Sequence, residues 1–174
     1  MNPLRQVSDK IVPLSGLKRI RATWAEAKLS VIFTNGVYDI VHRGHITLLA
    51  EAAAFGDKLI LGINSDSSVR TLGKGPDRPI NKQEDRAFVM AAMNMVDLVV
   101  IFDEQTPYEL IRILQPDVLV KGGDYSPDQL NPLAKDYIVG SDLQRAAGRK
   151  TVVIPIVDGY STTALVNKLA HGQD

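Results

Sequence analysis

A chain of 174 residues with 45% hydrophobic and 23% charged residues has apolar material for one real core and is the size of one domain. Twenty Lys and Arg against twenty Asp and Glu speak against a general nucleic-acid-coating role, and the absence of cysteine removes disulfides, thiolate catalysis and cysteine-ligated zinc. No apolar run reaches the ~20 residues needed to span a bilayer and no signal-peptide pattern opens the chain, so a soluble cytoplasmic protein with no membrane or nucleic-acid partner is expected.

In chain order, an amphipathic stretch from about Gly16 to Lys28 predicts a leading helix, within an N-terminal helical segment (1–29) packed on the rest. Val31 to Thr34 reads as the first buried strand. His45 to Phe55 reads as a helix with apolar Leu48, Leu49, Ala52 and Phe55, stopping at Gly56. Lys58 to Ile63 is a second strand, Glu84 to Met95 a helix, and Leu98 to Phe102 a third strand. Pro107 to Leu114 is predicted helical, with Thr106 as N-cap and proline in the first turn. Val118 to Val120 and Thr151 to Ile156 are the remaining strands. Asp142 to Ala147 and Thr162 to Leu169 are the remaining helices. Strands that are apolar on both faces and alternate with helices predict a single α/β domain over 1–174. Its fold is Rossmann-like: a doubly wound, parallel, five-stranded sheet flanked by helices. Asn64 to Ile80 and Lys121 to Gly140 carry glycines and prolines and read as long loops on the carboxyl edge of the sheet, where ligands bind.

The segment from Phe33 to His45 carries the chemistry. Thr34, Asn35 and Gly36 form a polar turn whose N–H groups suit an anion, and Tyr38 and Asp39 follow. Two of the three histidines, His42 and His45, stand three residues apart at a predicted helix start, beside the positive end of its dipole. Gly44 between them leaves the backbone open to a phosphate. Two other readings stand beside this one: structural histidines, or a metal site from Asp39, His42 and His45. Neither the Walker A nor the dinucleotide G-x-G-x-x-G pattern occurs.

His42-Arg43-Gly44-His45 after Thr34-Asn35-Gly36 resembles the His-x-Gly-His signature of the cytidylyltransferase-like nucleotidyltransferases. Three further segments match: Arg78-Pro79-Ile80 with Glu84-Asp85-Arg86, Lys121-Gly122-Gly123-Asp124-Tyr125, and Gly159-Tyr160-Ser161-Thr162-Thr163. The last two look most like the D-glycero-D-manno-heptose 1-phosphate adenylyltransferases. The resemblance runs from about Ile11 to Leu169, although Leu130 to Ile138 is longer than this subgroup leads one to expect.

The resemblance implies transfer of AMP from ATP to heptose 1-phosphate, giving ADP-heptose and pyrophosphate for lipopolysaccharide core synthesis. Mg²⁺ would be held mainly by the ATP phosphates, with no protein metal ligand, and a homodimer is implied. Met90, Met93 and Met95 offer the dimer slight support, since they suit a core equally well. His42 and His45 would contact the triphosphate, with Lys74 and Arg86 as phosphate-binding cations. Asp39 would fix the turn or, with Arg78, meet the sugar phosphate. Phe33, Thr34, Asn35, Gly36, Tyr38 and Gly44 would line the nucleotide. Lys121, Gly123 and Asp124 would hold base and ribose, or form a plain tight turn. Ser161, Thr162 and Thr163 would meet the β- or γ-phosphate from a helix start. Arg43 reads as a solvated arginine or a ligand contact, and Arg70 and Lys82 read as solvated. Members of this kind are often fused to a sugar kinase, for which a chain of this length has no room.

Two alternatives remain. A cytidylyltransferase acting on a polyol phosphate such as glycerol 3-phosphate is disfavoured, because Ile156, Val157 and Asp158 stand where such relatives commonly place an arginine. A nucleotide-binding regulator without catalysis is disfavoured by the intact histidine pair.

Overall fold

Five short apolar strands, β1 Val31–Gly36, β2 Lys58–Asn64, β3 Leu98–Phe102, β4 Val118–Gly122 and β5 Lys150–Ile154, pair in the order β3-β2-β1-β4-β5. Every neighbouring pair is parallel, with Val31 opposite Lys58, Ile32 opposite Val118, Ile60 opposite Leu98 and Val118 opposite Lys150. The structure, a computed structural model, describes residues 2–73, 75, 77–157, 159–160, 162 and 165–166.

Alternate strand residues face opposite layers, as a pleated sheet requires. Ile32, Leu59, Leu61, Val99 and Val120 point to one side, where Leu49 and Ala52 of α3 (Arg43–Ala53) and Ala87 and Met90 of α5 (Gln83–Ala91) close the core. Val31, Phe33, Ile60, Val100 and Leu119 point to the other, against Leu17 of α2 (Leu14–Glu26) and Leu110, Ile111 and Leu114 of α6 (Tyr108–Leu114). The sheet is therefore covered on both faces, which is why its strands read as apolar runs without alternation. This is the doubly wound Rossmann-like architecture expected from the sequence.

Several local expectations change. Asn64 to Ile80 is not all loop: Ser65 Oγ accepts from the Ser68 N–H at 3.2 Å and caps a short helix, α4 (Asp66–Thr71). Proline at its first position and the Asn2 side chain, which accepts from the Leu4 N–H, start α1 (Pro3–Asp9), a helix with no buried residue and hence no apolar signal. Helix α5 stops at Ala91, short of Met95. Pro107, not Thr106, is the N-cap of α6, without a side-chain bond. Strand β5 ends before Pro155, which has no N–H to give the ladder. Phe55 is exposed rather than core. Met90 is fully buried and Met93 and Met95 pack against the same cluster, so these methionines are core and give a dimer no support. The remaining helix is α7 (Ser141–Ala146). Of the expected last helix, Thr162, Leu165 and Val166 are helical, and the rest lies outside the described residues.

Candidate active site

The strand order reverses direction at β1 and β4, and ligands of open α/β sheets bind at such a point, beyond the carboxyl ends of the strands. A cleft of about 420 Å³ opens there. Asn35 and Gly36 reach it from the end of β1, Lys121 and Gly122 from the end of β4, and His42, Gly44, His45 and Leu48 from the start of α3. Tyr38, Tyr125, Ile156, Tyr160 and Thr162 complete the wall.

Helix α3 begins at His42, its N-cap, so His45 is the third helical residue. That spacing stacks the imidazoles, with ring centroids 3.9 Å apart and planes 21° apart. The His42 N–H donates to His45 Nδ1 across a long 3.4 Å contact, in which Nδ1 is the acceptor. Tyr38 packs against His45 at 5.2 Å and Tyr160 lies 6.0 Å from His42. Removal from water pushes the His42 pKa below the ordinary imidazole value, offset only in part by its own backbone. A Cβ on Gly44 would come within 3.2 Å of both the His42 ring and Tyr160, so glycine is what lets these groups close on the helix start.

Lys121 Nζ donates to Asn35 Oδ1 at 3.0 Å and sits 5.6 Å from the centre of the Tyr125 ring, which places its charge in the cleft wall. Gly123 has φ 120°, a left-handed conformation, and lies beside Ile156. Thr162 Oγ1 donates to the Ile40 carbonyl at 3.3 Å, tying Thr162 to the histidine loop.

The other expected residues are placed differently. Phe33 is buried in the core, and Asp124 is exposed outside the cleft wall. Thr34 Oγ1 and Tyr38 Oη are buried without a well-aligned partner, and burial drives the Tyr38 pKa far up, only partly countered by the Thr34 hydroxyl. Asp39 is spent on protein groups: it accepts from the N–H groups of Ile80 and Asn81 and from Arg78 Nε. Burial works against its charge, but those donors outweigh it and hold its pKa below the usual carboxylate range. Arg78 is buried as the partner of Asp39, and the pair lies outside the cleft wall. The Asp39 carboxylate is thereby engaged by Arg78, Ile80 and Asn81, and no group of three potential metal ligands occurs among the described residues. Arg86 is buried too and bonds to Val37, Asn81 and Asp66. Arg43 is exposed, and so are Arg70 and Lys82, as expected. Lys74, Ser161 and Thr163 lie outside the described residues.

Sequence reasoning gave no role to Leu48, Tyr125, Ile156 and Tyr160. Leu48 stands one turn after His45 on the same helix face, and a Cβ on Gly122 would meet it at 3.0 Å, so helical spacing alone could have found it. Tyr125 and Tyr160 close matched motifs. Ile156 follows a strand end, with no signal of its own.

Among known proteins, the chain is 49% identical over 164 residues to the bifunctional protein HldE of Mesorhizobium japonicum, which covers 94% of the chain. It is 48% identical over 156 residues to the HldE of Gluconobacter oxydans, covering 90%. In both cases the chain spans 31% of the relative's length. The solved lipopolysaccharide core biosynthesis protein from Thermoplasma volcanium superposes with a TM-score of 0.56 at 25% identity, over 76% of this chain and 99% of that one. A pantoate-beta-alanine ligase from Francisella tularensis shares the fold, with a TM-score of 0.62 at 15% identity, over 90% of this chain and 72% of that one. The cytidylyltransferase-like family model matches residues 33–168, a span that starts on β1 and takes in the stacked histidines, the β4 lysine and Thr162; the chain belongs to the cytidylyltransferase-like family.

Proposed function

We propose that this chain is a sugar-phosphate nucleotidyltransferase that transfers AMP from ATP to D-glycero-D-manno-heptose 1-phosphate, releasing pyrophosphate and serving lipopolysaccharide core synthesis in the cytoplasm. The observation that carries the reading is the stacked His42–His45 pair at the start of α3, facing a cleft at the β1–β4 switch point. Relatives named HldE, nearly half identical over most of this chain, and the structurally similar lipopolysaccharide core biosynthesis protein support the sugar and the pathway.

The chemistry asks little of a base. A phosphate oxygen of the sugar phosphate is already an anion at neutral pH; it attacks the α-phosphorus, the bond to the bridging oxygen breaks, and pyrophosphate leaves with the electron pair. The protein aligns the three groups and meets the charge that builds on phosphorus. His42 and His45 offer ring N–H donors at the first turn of α3, where the helix dipole is positive. Lys121 brings a positive charge from β4, and Ile156, Leu48 and Tyr125 give the base an apolar wall. The cleft wall carries no Asp or Glu among the described residues, so Mg²⁺ enters as part of the MgATP substrate, carried by its phosphates and water. A homodimer belongs to the proposal through the family resemblance alone, and sedimentation tests it.

Pyrophosphate release measured with ATP and CTP, each against heptose 1-phosphate and glycerol 3-phosphate, tests the assignment. Turnover with ATP and heptose 1-phosphate is expected. Robust turnover with CTP alone would reassign the chain to a polyol-phosphate cytidylyltransferase, and tight ATP binding without product from any pairing would make it a regulator.

A further inference from the structure

Arg86 is the largest fully buried side chain among the described residues, 1% exposed. Each nitrogen of its fork donates to the protein: Nη1 to the Val37 carbonyl at 2.6 Å, Nε to the Asn81 carbonyl at 3.0 Å, and Nη2 to Asp66 Oδ1 at 2.7 Å. An arginine that recognises phosphate presents part of that fork to the ligand. This one lies outside the wall of the histidine cleft, with all three nitrogens held by protein acceptors.

What it grips explains its place. Val37 opens the turn, and the next residue, Tyr38, has φ 51°, a left-handed conformation rare for a bulky side chain. On the other flank Asp39, with a fully buried side chain, is fixed by the N–H groups of Ile80 and Asn81. Both neighbours of Tyr38 are thus pinned, Val37 to α5 and Asp39 to the segment that leads into it, which is how a strained conformation persists. That conformation folds the Tyr38 ring back over Gly36, where a Cβ would stand 2.8 Å away, and sets it against His45, which stacks on His42.

We infer that Arg86 is a positioning residue: through the Val37 carbonyl it holds Tyr38 in its left-handed conformation and so sets the orientation of the His45–His42 stack, without touching phosphate itself. The inference rests on the nucleotidyltransferase reading only for its kinetic consequence.

The test compares the full chain with Arg86→Lys, which keeps the charge but cannot span three acceptors, and with Asp66→Asn, which weakens one bond of the three. The chain has three histidines, so the imidazole resonances can be assigned by single substitutions. In Arg86→Lys the His42 and His45 resonances are expected to move, while the ATP dissociation constant by calorimetry stays within about threefold and kcat for pyrophosphate release falls by about tenfold or more at little-changed KM. Asp66→Asn should move the same quantities in the same direction by less. A mere loss of stability lowers the unfolding temperature and leaves the imidazoles of the folded molecules in place. Unmoved imidazoles together with a tenfold or greater weakening of ATP binding would overturn the inference and make Arg86 a phosphate ligand. Unmoved imidazoles in both variants would overturn it as well. If Arg86→Lys fails to fold, Asp66→Asn decides by the same readouts. If the wild-type chain releases no pyrophosphate from any pairing, the functional reading falls, while the resonances and the ATP affinity still decide the part played by Arg86.

Discussion

His42 and His45 stack with their ring centroids 3.9 Å apart, one as the N-cap of α3 and the other as its third residue. Each ring then leans on a tyrosine, His45 on Tyr38 and His42 on Tyr160. Replacing His45 by alanine removes one donor aimed at the developing charge, a loss of the order of 10²–10³ in turnover. Thermal unfolding should stay close to wild type, since His45 is not a buried core residue. Pyrophosphate release and a melting curve check both halves, and near-wild-type turnover would count against the proposed mechanism.

The imidazole of His42 is expected to titrate below the ordinary value of about 6.5, because leaving water disfavours its charge. The sign follows from the unfolded chain binding the proton more readily. The contribution of His42 to stability is complete above about pH 6.5 and declines as pH falls toward the lower folded value. An NMR titration of the ring protons checks this; a midpoint above the value for an unfolded peptide would contradict it.

Asp39 has a depressed folded pKa, held down by Asn81, Ile80 and Arg78 against the effect of burial. Its contribution to stability is therefore full above about pH 4, the unfolded value, and is lost as pH drops through the folded one. Asp39→Asn leaves Arg78 buried without a counter-charge and should cost about 3–5 kcal/mol at pH 7. The variant should also show a flatter acid limb. Urea unfolding at a series of pH values reads both, and an unchanged midpoint at neutral pH would show the pair to be dispensable.

Gly36 meets the Tyr38 ring so closely that a Cβ would stand 2.8 Å from it. Gly36→Ala must move the ring or the strand end, at about 1–3 kcal/mol. Turnover should fall along with the ring contact to His45. Activity and thermal unfolding, measured together, test the expectation.

Lys121 is held between Asn35 and the Tyr125 ring. Lys121→Met keeps most of the volume and removes the charge, so ATP affinity should weaken by about tenfold or more and lose some of its salt dependence. Calorimetry at two ionic strengths measures this directly.

The layered α/β architecture was legible because a sheet covered on both faces makes each strand an uninterrupted apolar run. Val31, Ile32 and Phe33 announce β1 although they point to different layers. Helix α1 was not legible, since it has no fully buried residue and sets only Val7 partly against the core, which leaves no periodic trace. Helix α4 was hidden among glycines and prolines, and only the Ser65 cap hinted at it. The histidine pair could be read from spacing, because a helix start brings residues three apart together. The fates of Asp39, Arg78 and Arg86 could not: a charged residue looks the same in sequence whether it faces a ligand or a buried protein partner. That distinction depends on partners far along the chain, such as Val37 for Arg86 and Ile80 for Asp39.

The central place of β1 also bears on how the protein is made. One edge of β1 is taken by β2 soon after synthesis, but the other waits for β4, Val118–Gly122. At about 5–20 residues per second, a nascent chain carries that hydrogen-bonding edge unpaired for on the order of ten seconds. A bare strand edge is a template for mispairing with other chains. A ribosome stalled between β3 and β4 would therefore release a fragment prone to aggregate, whereas one stalled just after β5 would release a nearly finished sheet.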